Sequence, residues 1–254
     1  MVFDLNNKTV LITGAGSSNG IGFASAKFLK SMGAKVFITG KSERIKDRAQ
    51  ELNCPYFIAD LTKDDEVKLL VEKVKQEFNN LDVLVNNAGM TSIVDTPGVE
   101  SGSIENTTHS SFIASVERNL VSAFLVTKEC LELLKQSKSP RVIMITSITG
   151  PVMAMNNEVG YASSKAGLVG LTRSLALDFA KDNILVNAIA PGWIKTESQT
   201  EKENQAGLKT PWKRSAKPEE IASLVGYLAS DEASYVTGQV IAVDGGNSIN
   251  EERI

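Results

Sequence analysis

The chain is poor in metal-binding and redox residues: two cysteines, Cys54 and Cys130, and one histidine, His109, stand in 254 residues. Two distant thiols give no metal-ligand spacing and no disulfide framework, and one histidine excludes a histidine-rich metal centre, so no metal is expected. His109 sits in the polar stretch "TTHSSF" and reads as solvated. Reduced thiols fit a cytoplasmic protein. No apolar run is long enough to span a bilayer. The start, "MVFDLNNKTVLI", lacks the basic, apolar and cleavage regions of a signal peptide. Excess charge is missing too. With 27 Lys and Arg against 30 Asp and Glu, the net charge of −3 excludes general attraction to nucleic acid or anionic membranes. No Pro/Ser-rich linker or charge block divides the chain, so residues 1–254 are read as one domain.

What remains is a regular alternation. The short apolar runs "TVLIT", "KVFIT", "YFIA", "LDVLVN", "RVIMITS", "ILVNAIA" and "QVIAVD" read as strands buried on both faces. Between them, segments such as "GFASAKFLKSMG", "DEVKLLVEKVKQEF" and "SKAGLVGLTRSLALDFAKD" repeat apolar residues at helical spacing. Thr62 with Asp65 resembles a capping box, and Pro218 suits a first helical turn. The alternation predicts an α/β fold, a single-domain doubly wound parallel sheet of Rossmann type with helices on both faces. Two polar segments, about 90–108 and 192–216, interrupt it. They follow strand ends, where such sheets bind ligands, and are candidate substrate walls.

The stretch "TGAGSSNGIG" carries four glycines in ten residues, directly after the strand "TVLI" and before a helix. A turn of this kind lets a pyrophosphate approach bare backbone N–H groups at a helix N-terminus. The next strand ends at Gly40, followed by Lys41, Ser42 and Arg44, where an NAD-binding fold commonly has an acidic residue for the ribose 2′-hydroxyl. Absent acid and nearby cations suit a 2′-phosphate and hence NADP; the alternative is that Lys41 and Arg44 only solvate a helix start. In "YASSK", Tyr161 and Lys165 share one helix face. An adjacent ammonium favours an ionised phenol, which suits proton exchange with a carbonyl oxygen receiving hydride. Ser147 ends one strand in "MITSITG", "LVNNAG" ends another and "ADL" a third.

This ordered set resembles the short-chain dehydrogenase/reductase family from "TVLITG" to "VTGQVIAVDGG". The overall pattern is most similar to 3-oxoacyl-[acyl-carrier-protein] reductases. The resemblance implies that Tyr161 is the general acid or base, that Lys165 binds nicotinamide ribose and lowers the tyrosine pKa, and that Ser147 polarises the substrate carbonyl. It makes Asn119, in "ERNLVSAF", part of a water-linked proton relay to the lysine. For the cofactor it implies Gly14, Ser17, Ser18, Asn19, Gly20, Ile21 and Gly22 at the phosphates, and Gly40 with Lys41 beyond the second strand. Asp60 and Leu61 then meet adenine, Asn87, Ala88 and Gly89 form the cofactor-side turn, and Pro191, Gly192, Ile194 and Thr196 lie by the nicotinamide, which Tyr161 and Lys165 also contact.

Three departures stand out. Gly14 and Gly20 enclose five residues, two more than the family usually has. Asn19 replaces a basic residue that many NADP-dependent members carry, which keeps NAD open as the cofactor. The segment "LALDFAKDN" has no arginine, where carrier-protein reductases often have some. The expected activity is NADP(H)-dependent interconversion of a carbonyl and a secondary alcohol, with a 3-oxoacyl thioester as one substrate class. A sugar, polyol, steroid or other secondary alcohol is the alternative, and a non-catalytic dinucleotide-sensing protein is a further one. An enoyl reductase is disfavoured because such relatives space tyrosine and lysine further apart. Many members form homotetramers through two long helices, so a homotetramer is expected by resemblance.

Overall fold

The computed structural model describes residues 3–90 and 102–251. Seven strands form one sheet: β1 (Thr9–Ile12), β2 (Lys35–Gly40), β3 (Tyr56–Ile58), β4 (Val83–Asn86), β5 (Arg141–Ile145), β6 (Leu185–Pro191) and β7 (Val240–Val243). Their order is β3-β2-β1-β4-β5-β6-β7, and every neighbouring pair is parallel. All seven coincide with the apolar runs of the sequence. The chain moves outward from β1 in one direction and then returns to start β4 on its other side. That reversal opens a crevice at the carboxyl ends of β1 and β4.

Strand pleating decides which helix each apolar residue meets. Val10 and Ile12 of β1, Val83 and Val85 of β4, and Ile143 and Ile145 of β5 all enter one core. Leu11, Leu84, Val142 and Met144, one residue out of step, enter the other. The first core is closed by α1 (Ile21–Ser31), α2 (Arg44–Leu52) and α8 (Pro218–Ala229), through Phe23, Leu29, Ile45, Ile221 and Val225. The second is closed by α3 (Asp64–Glu77), α5 (Ser122–Lys135) and α6 (Val159–Asp178), through Leu70, Val74, Val126, Leu134 and Leu168. Helices therefore cover both faces, as the strand composition requires.

The local signals were mixed. Pro218 opens α8 as expected. Thr62 does not cap α3: the cap position is Lys63, and the Thr62 hydroxyl instead donates to Asp60 Oδ1 at 2.8 Å. The capping box that does form lies at α7 (Glu201–Leu208), where Thr200 and Glu203 satisfy each other's backbone N–H groups. α7 rises from the polar segment 192–216, so that segment is a helix between two connections rather than a loop. α4 (His109–Val116) runs into α5 through a single π-helical turn, Glu117–Val121. His109 is exposed at the α4 start.

Candidate active site

The glycine-rich turn links β1 to α1. Gly14 has a left-handed φ of +67°, and a Cβ there would stand 2.8 Å from the Ala88 Cα. At Gly22 a Cβ would meet Asn87 Nδ2 at 2.5 Å and Gly14 O at 2.6 Å, so only glycine fits. Asn87 explains the crowding: its Nδ2 donates to the carbonyls of Thr13 and Gly14, both at 3.0 Å. The Thr13 hydroxyl in turn accepts from the backbone N–H groups of Asn87 and Ala88. Asn87 thus fastens the β4 end to the turn. Gly20 caps α1 without a side chain, and the first helical turn holds no acidic residue. Its forward-pointing N–H groups and partial positive charge fit a pyrophosphate.

The two extra residues lead elsewhere. Ser17 donates to Glu197 Oε2 at 2.8 Å and Asn19 to Lys195 O at 3.0 Å, while Ser18 is exposed. The longer turn therefore reaches the segment that follows β6. At the β2 end, Gly40 lies against the turn, a Cβ there being 3.6 Å from Gly16 N. Lys41 Nζ pairs with Asp60 Oδ2 at 3.0 Å, and Arg44 Nη1 lies 3.8 Å from Glu197 Oε2. Partial burial works against the Asp60 charge, but hydrogen bonds from Thr62 and Lys41 outweigh it and hold the carboxyl below its usual range. Leu61 beside it is buried in the core.

The catalytic candidates meet at the carboxyl ends of β4, β5 and β6. Ser147 follows β5 and accepts a hydrogen bond from Thr149 N at 3.0 Å. Tyr161 and Lys165 lie one turn apart on α6, and the Thr146 hydroxyl donates to Lys165 O at 2.7 Å, pinning that turn to the strand end. Lys165 is buried, donates to Ile145 O at 3.0 Å, and stands 5.7 Å from the Tyr161 ring centre. Burial pushes the ammonium down to about 8. Asn119 is fully buried in the π-helical turn and donates to Met90 O and Ser115 O. Its Oδ1 has no hydrogen-bond partner and lies 2.6 Å from where a Cβ of Gly89 would be.

One electrostatic expectation is reversed. The phenol of Tyr161 is raised to about 12, first by burial and then by the negative charges of Glu158 and Glu203; the hydrogen bond with Ser147 works the other way. The ammonium faces the ring and the Ile145 carbonyl, so it does not offset these effects. Such a phenol keeps its proton at neutral pH and is set up as an acid.

These groups line a cavity of about 230 Å³. Its walls include Asn87, Gly89, Ser147, Tyr161 and Lys165, together with Pro191, Gly192, Ile194 and Thr196 and, from the helix start, Ile21. Trp193, Ser198, Gln199 and Glu203 come from the segment 192–216 that was expected as a wall, while the sequence reading missed Thr149, Met155 and Glu158. Glu158 stands three residues before Tyr161, a visible signal; Glu203 is brought in only by α7. Of the expected wall at 90–108, residues 91–101 fall outside the described residues. The described end is tied to the residues before α6, Gly102 N donating to Asn157 O at 2.7 Å, and none of its described residues lines the cavity.

The comparisons with known proteins agree with this geometry. A family model described as enoyl-(acyl carrier protein) reductase matches residues 14–248. The 3-oxoacyl-[acyl-carrier-protein] reductase FabG of Rickettsia felis is 38% identical, over 96% of this chain and 98% of its own. Nodulation protein G of a Rhizobium species is 37% identical over the same shares. The chain belongs to the short-chain dehydrogenase/reductase family. Among solved structures, levodione reductase superposes with a TM-score of 0.87 at 30% identity, covering 96% of this chain and 98% of that one. An actinorhodin polyketide ketoreductase with NADPH gives 0.86 at 29%, over the same shares. This short-chain dehydrogenase/reductase is an NAD(P)-dependent enzyme acting on carbonyl and CH–OH groups. Among the described residues no helix is long and apolar enough to cross a membrane, and no cluster of residues could hold a metal.

Proposed function

We propose that the chain is a cytoplasmic NADP(H)-dependent reductase of 3-oxoacyl thioesters. The observation that carries this reading is the convergence of Ser147, Tyr161 and buried Lys165 in one cavity, at the mouth of a turn that fits a pyrophosphate. When bound, the nicotinamide supplies the hydride. The Ser147 hydroxyl holds the substrate carbonyl, and the Tyr161 phenol delivers its proton to the oxygen as negative charge develops there. Lys165, with Asn119 beside it, orients the ribose.

NADP is favoured over NAD by Lys41 and Arg44. Both side chains are mostly exposed, at 74% and 66%, so their pairs with Asp60 and Glu197 are weak and yield to a 2′-phosphate. The reading is tested by following NADPH and NADH oxidation with acetoacetyl-CoA. Rapid turnover with NADPH is expected, together with a loss of 10²–10⁴-fold in Tyr161→Phe at retained NADPH affinity. NADPH binding without turnover, unaltered by Tyr161→Phe, would fit a cofactor sensor instead.

The protein assembles as a homotetramer in this reading. Gly167 packs inside the subunit against Leu120, but Gly170 on the same helix has open space beside it, and Phe124 of α5 is 43% exposed. These small and apolar surface positions suit a second copy. A monomeric mass by light scattering would refute it.

A further inference from the structure

Among its described lining residues, the candidate substrate cavity carries more carboxylates than cations. Glu158, at the start of α6, and Glu203, on α7, both line it. Lys165 is the one cation among the described lining residues, and it is buried at the cavity floor, bonded to Ile145 O. Ser147, Thr149, Trp193 and Gln199 supply neutral walls. The two carboxylates come from different elements and line one cavity with Tyr161. Glu203 is held there by its helix: its Oε2 accepts from Thr200 N at 2.7 Å and from the Thr200 hydroxyl at 2.9 Å.

We propose that Glu158 and Glu203 are specificity-determining residues that admit the neutral thioester of a 3-oxo acid and reject the free 3-oxo acid. The inference rests on the thioester reading above and deepens it. In a 3-oxo compound the acyl carbon is two bonds from the reacting ketone, so a free carboxylate occupies the same cavity of about 230 Å³ as the two glutamates. Like charges held in one partly enclosed cavity repel more strongly than in bulk water, because the protein walls screen less than solvent does. A thioester brings no charge to that position. Rejection of the anion is therefore built from repulsion, alongside the attractive contacts to the carbonyl.

The test compares kcat/KM for S-acetoacetyl-N-acetylcysteamine, a small neutral thioester, with that for acetoacetate, in the full-length enzyme with NADPH. The wild type is expected to favour the thioester by at least about a hundredfold. Glu158→Gln and Glu203→Gln each narrow the ratio by about tenfold, or about 1.4 kcal/mol, by lowering the KM for acetoacetate. Glu158→Asp, which retains the charge, keeps the ratio. Glutamine at 203 still serves a capping box, so α7 is retained. Equal use of the two substrates by the wild type would overturn the inference and leave the reductase reading standing. So would glutamine variants that lose both activities in proportion, the mark of a structural role. If neither acetoacetyl-CoA nor the small thioester is reduced while other ketones are, the thioester reading itself fails and the inference falls with it.

Discussion

Lys165 shows how one side chain is set against stability for the sake of the site. Burying an ammonium with one carbonyl partner lowers its pKa to about 8, so between pH 8 and 10.5 the unfolded chain binds the proton that the folded chain has lost. The folded state is therefore penalised below pH 8, and the penalty is relieved as pH rises through that window. The shift corresponds to about 3 kcal/mol at pH 7. Lys165→Met should remove it, offset by about 1 kcal/mol for the unpaired Ile145 carbonyl. The expected result is an enzyme more stable by about 2 kcal/mol in urea unfolding at pH 7 and without turnover; a destabilised Lys165→Met would show that the ammonium is better solvated than its burial implies. The same pair shapes the pH profile. Tyr161 holds its proton up to about 12, so carbonyl reduction is not limited by the acid and should decline only as Lys165 loses its charge, with a limb near pH 8. Alcohol oxidation needs the phenolate and should rise with pH up to about 8, then level off as Lys165 loses its charge. Initial rates in both directions between pH 6 and 10 check the two slopes. The motif pointed to these residues; the direction of the tyrosine shift was not visible, because it depends first on burial and then on Glu158 and on Glu203, the latter carried in by α7.

At the scale of elements, the seven strands were legible because each is a short, β-branched run buried on both faces, a pattern that survives without knowledge of neighbours. α2 and α7 were not. "RIKDRAQEL" carries a stripe of three, Ile45, Ala49 and Leu52 at helical spacing, over only nine residues, whereas "EKENQAGL" buries only Gly207 and carries none. α7 depends instead on its cap. Thr200→Ala removes the hydroxyl that accepts from Glu203 N and should cost about 1 kcal/mol. Because α7 is nearly coreless, the cost falls locally: Tm is expected to drop by no more than about 4 °C, while the KM for the carbonyl substrate rises severalfold as Glu203 and Gln199 lose their positions. A change in Tm alone, with KM untouched, would mean that α7 does not form the cavity wall. The misplaced box at Thr62 teaches the complementary lesson. A Thr with an acid three residues on satisfies the pattern, yet Asp60 captured the hydroxyl two residues earlier.

For the molecule as a whole, both thiols are inert by burial. Cys130 is fully buried and raised to about 12; Cys54 is half-buried and raised to about 11, by burial against the opposing charge of Lys30. Neither should react with a disulfide reagent at pH 7.5 in the folded enzyme, and both should react after denaturation. A thiol titrating rapidly in the native protein would contradict the packing around it. The sequence by itself determined the sheet, its helices on both faces, the glycine-rich turn between β1 and α1 and the order of Asn119, Ser147, Tyr161 and Lys165, because these rest on local periodicity and on residue types that few other environments tolerate. The tertiary structure alone decided what meets across that order. It spent Asn87 on the glycine turn, turned Ser17 and Asn19 toward the segment after β6, and brought Glu203 into the cavity that the Tyr161 phenol lines. Such contacts join residues dozens of positions apart, and their chemistry comes from distance and exclusion of water, which no stretch of sequence contains.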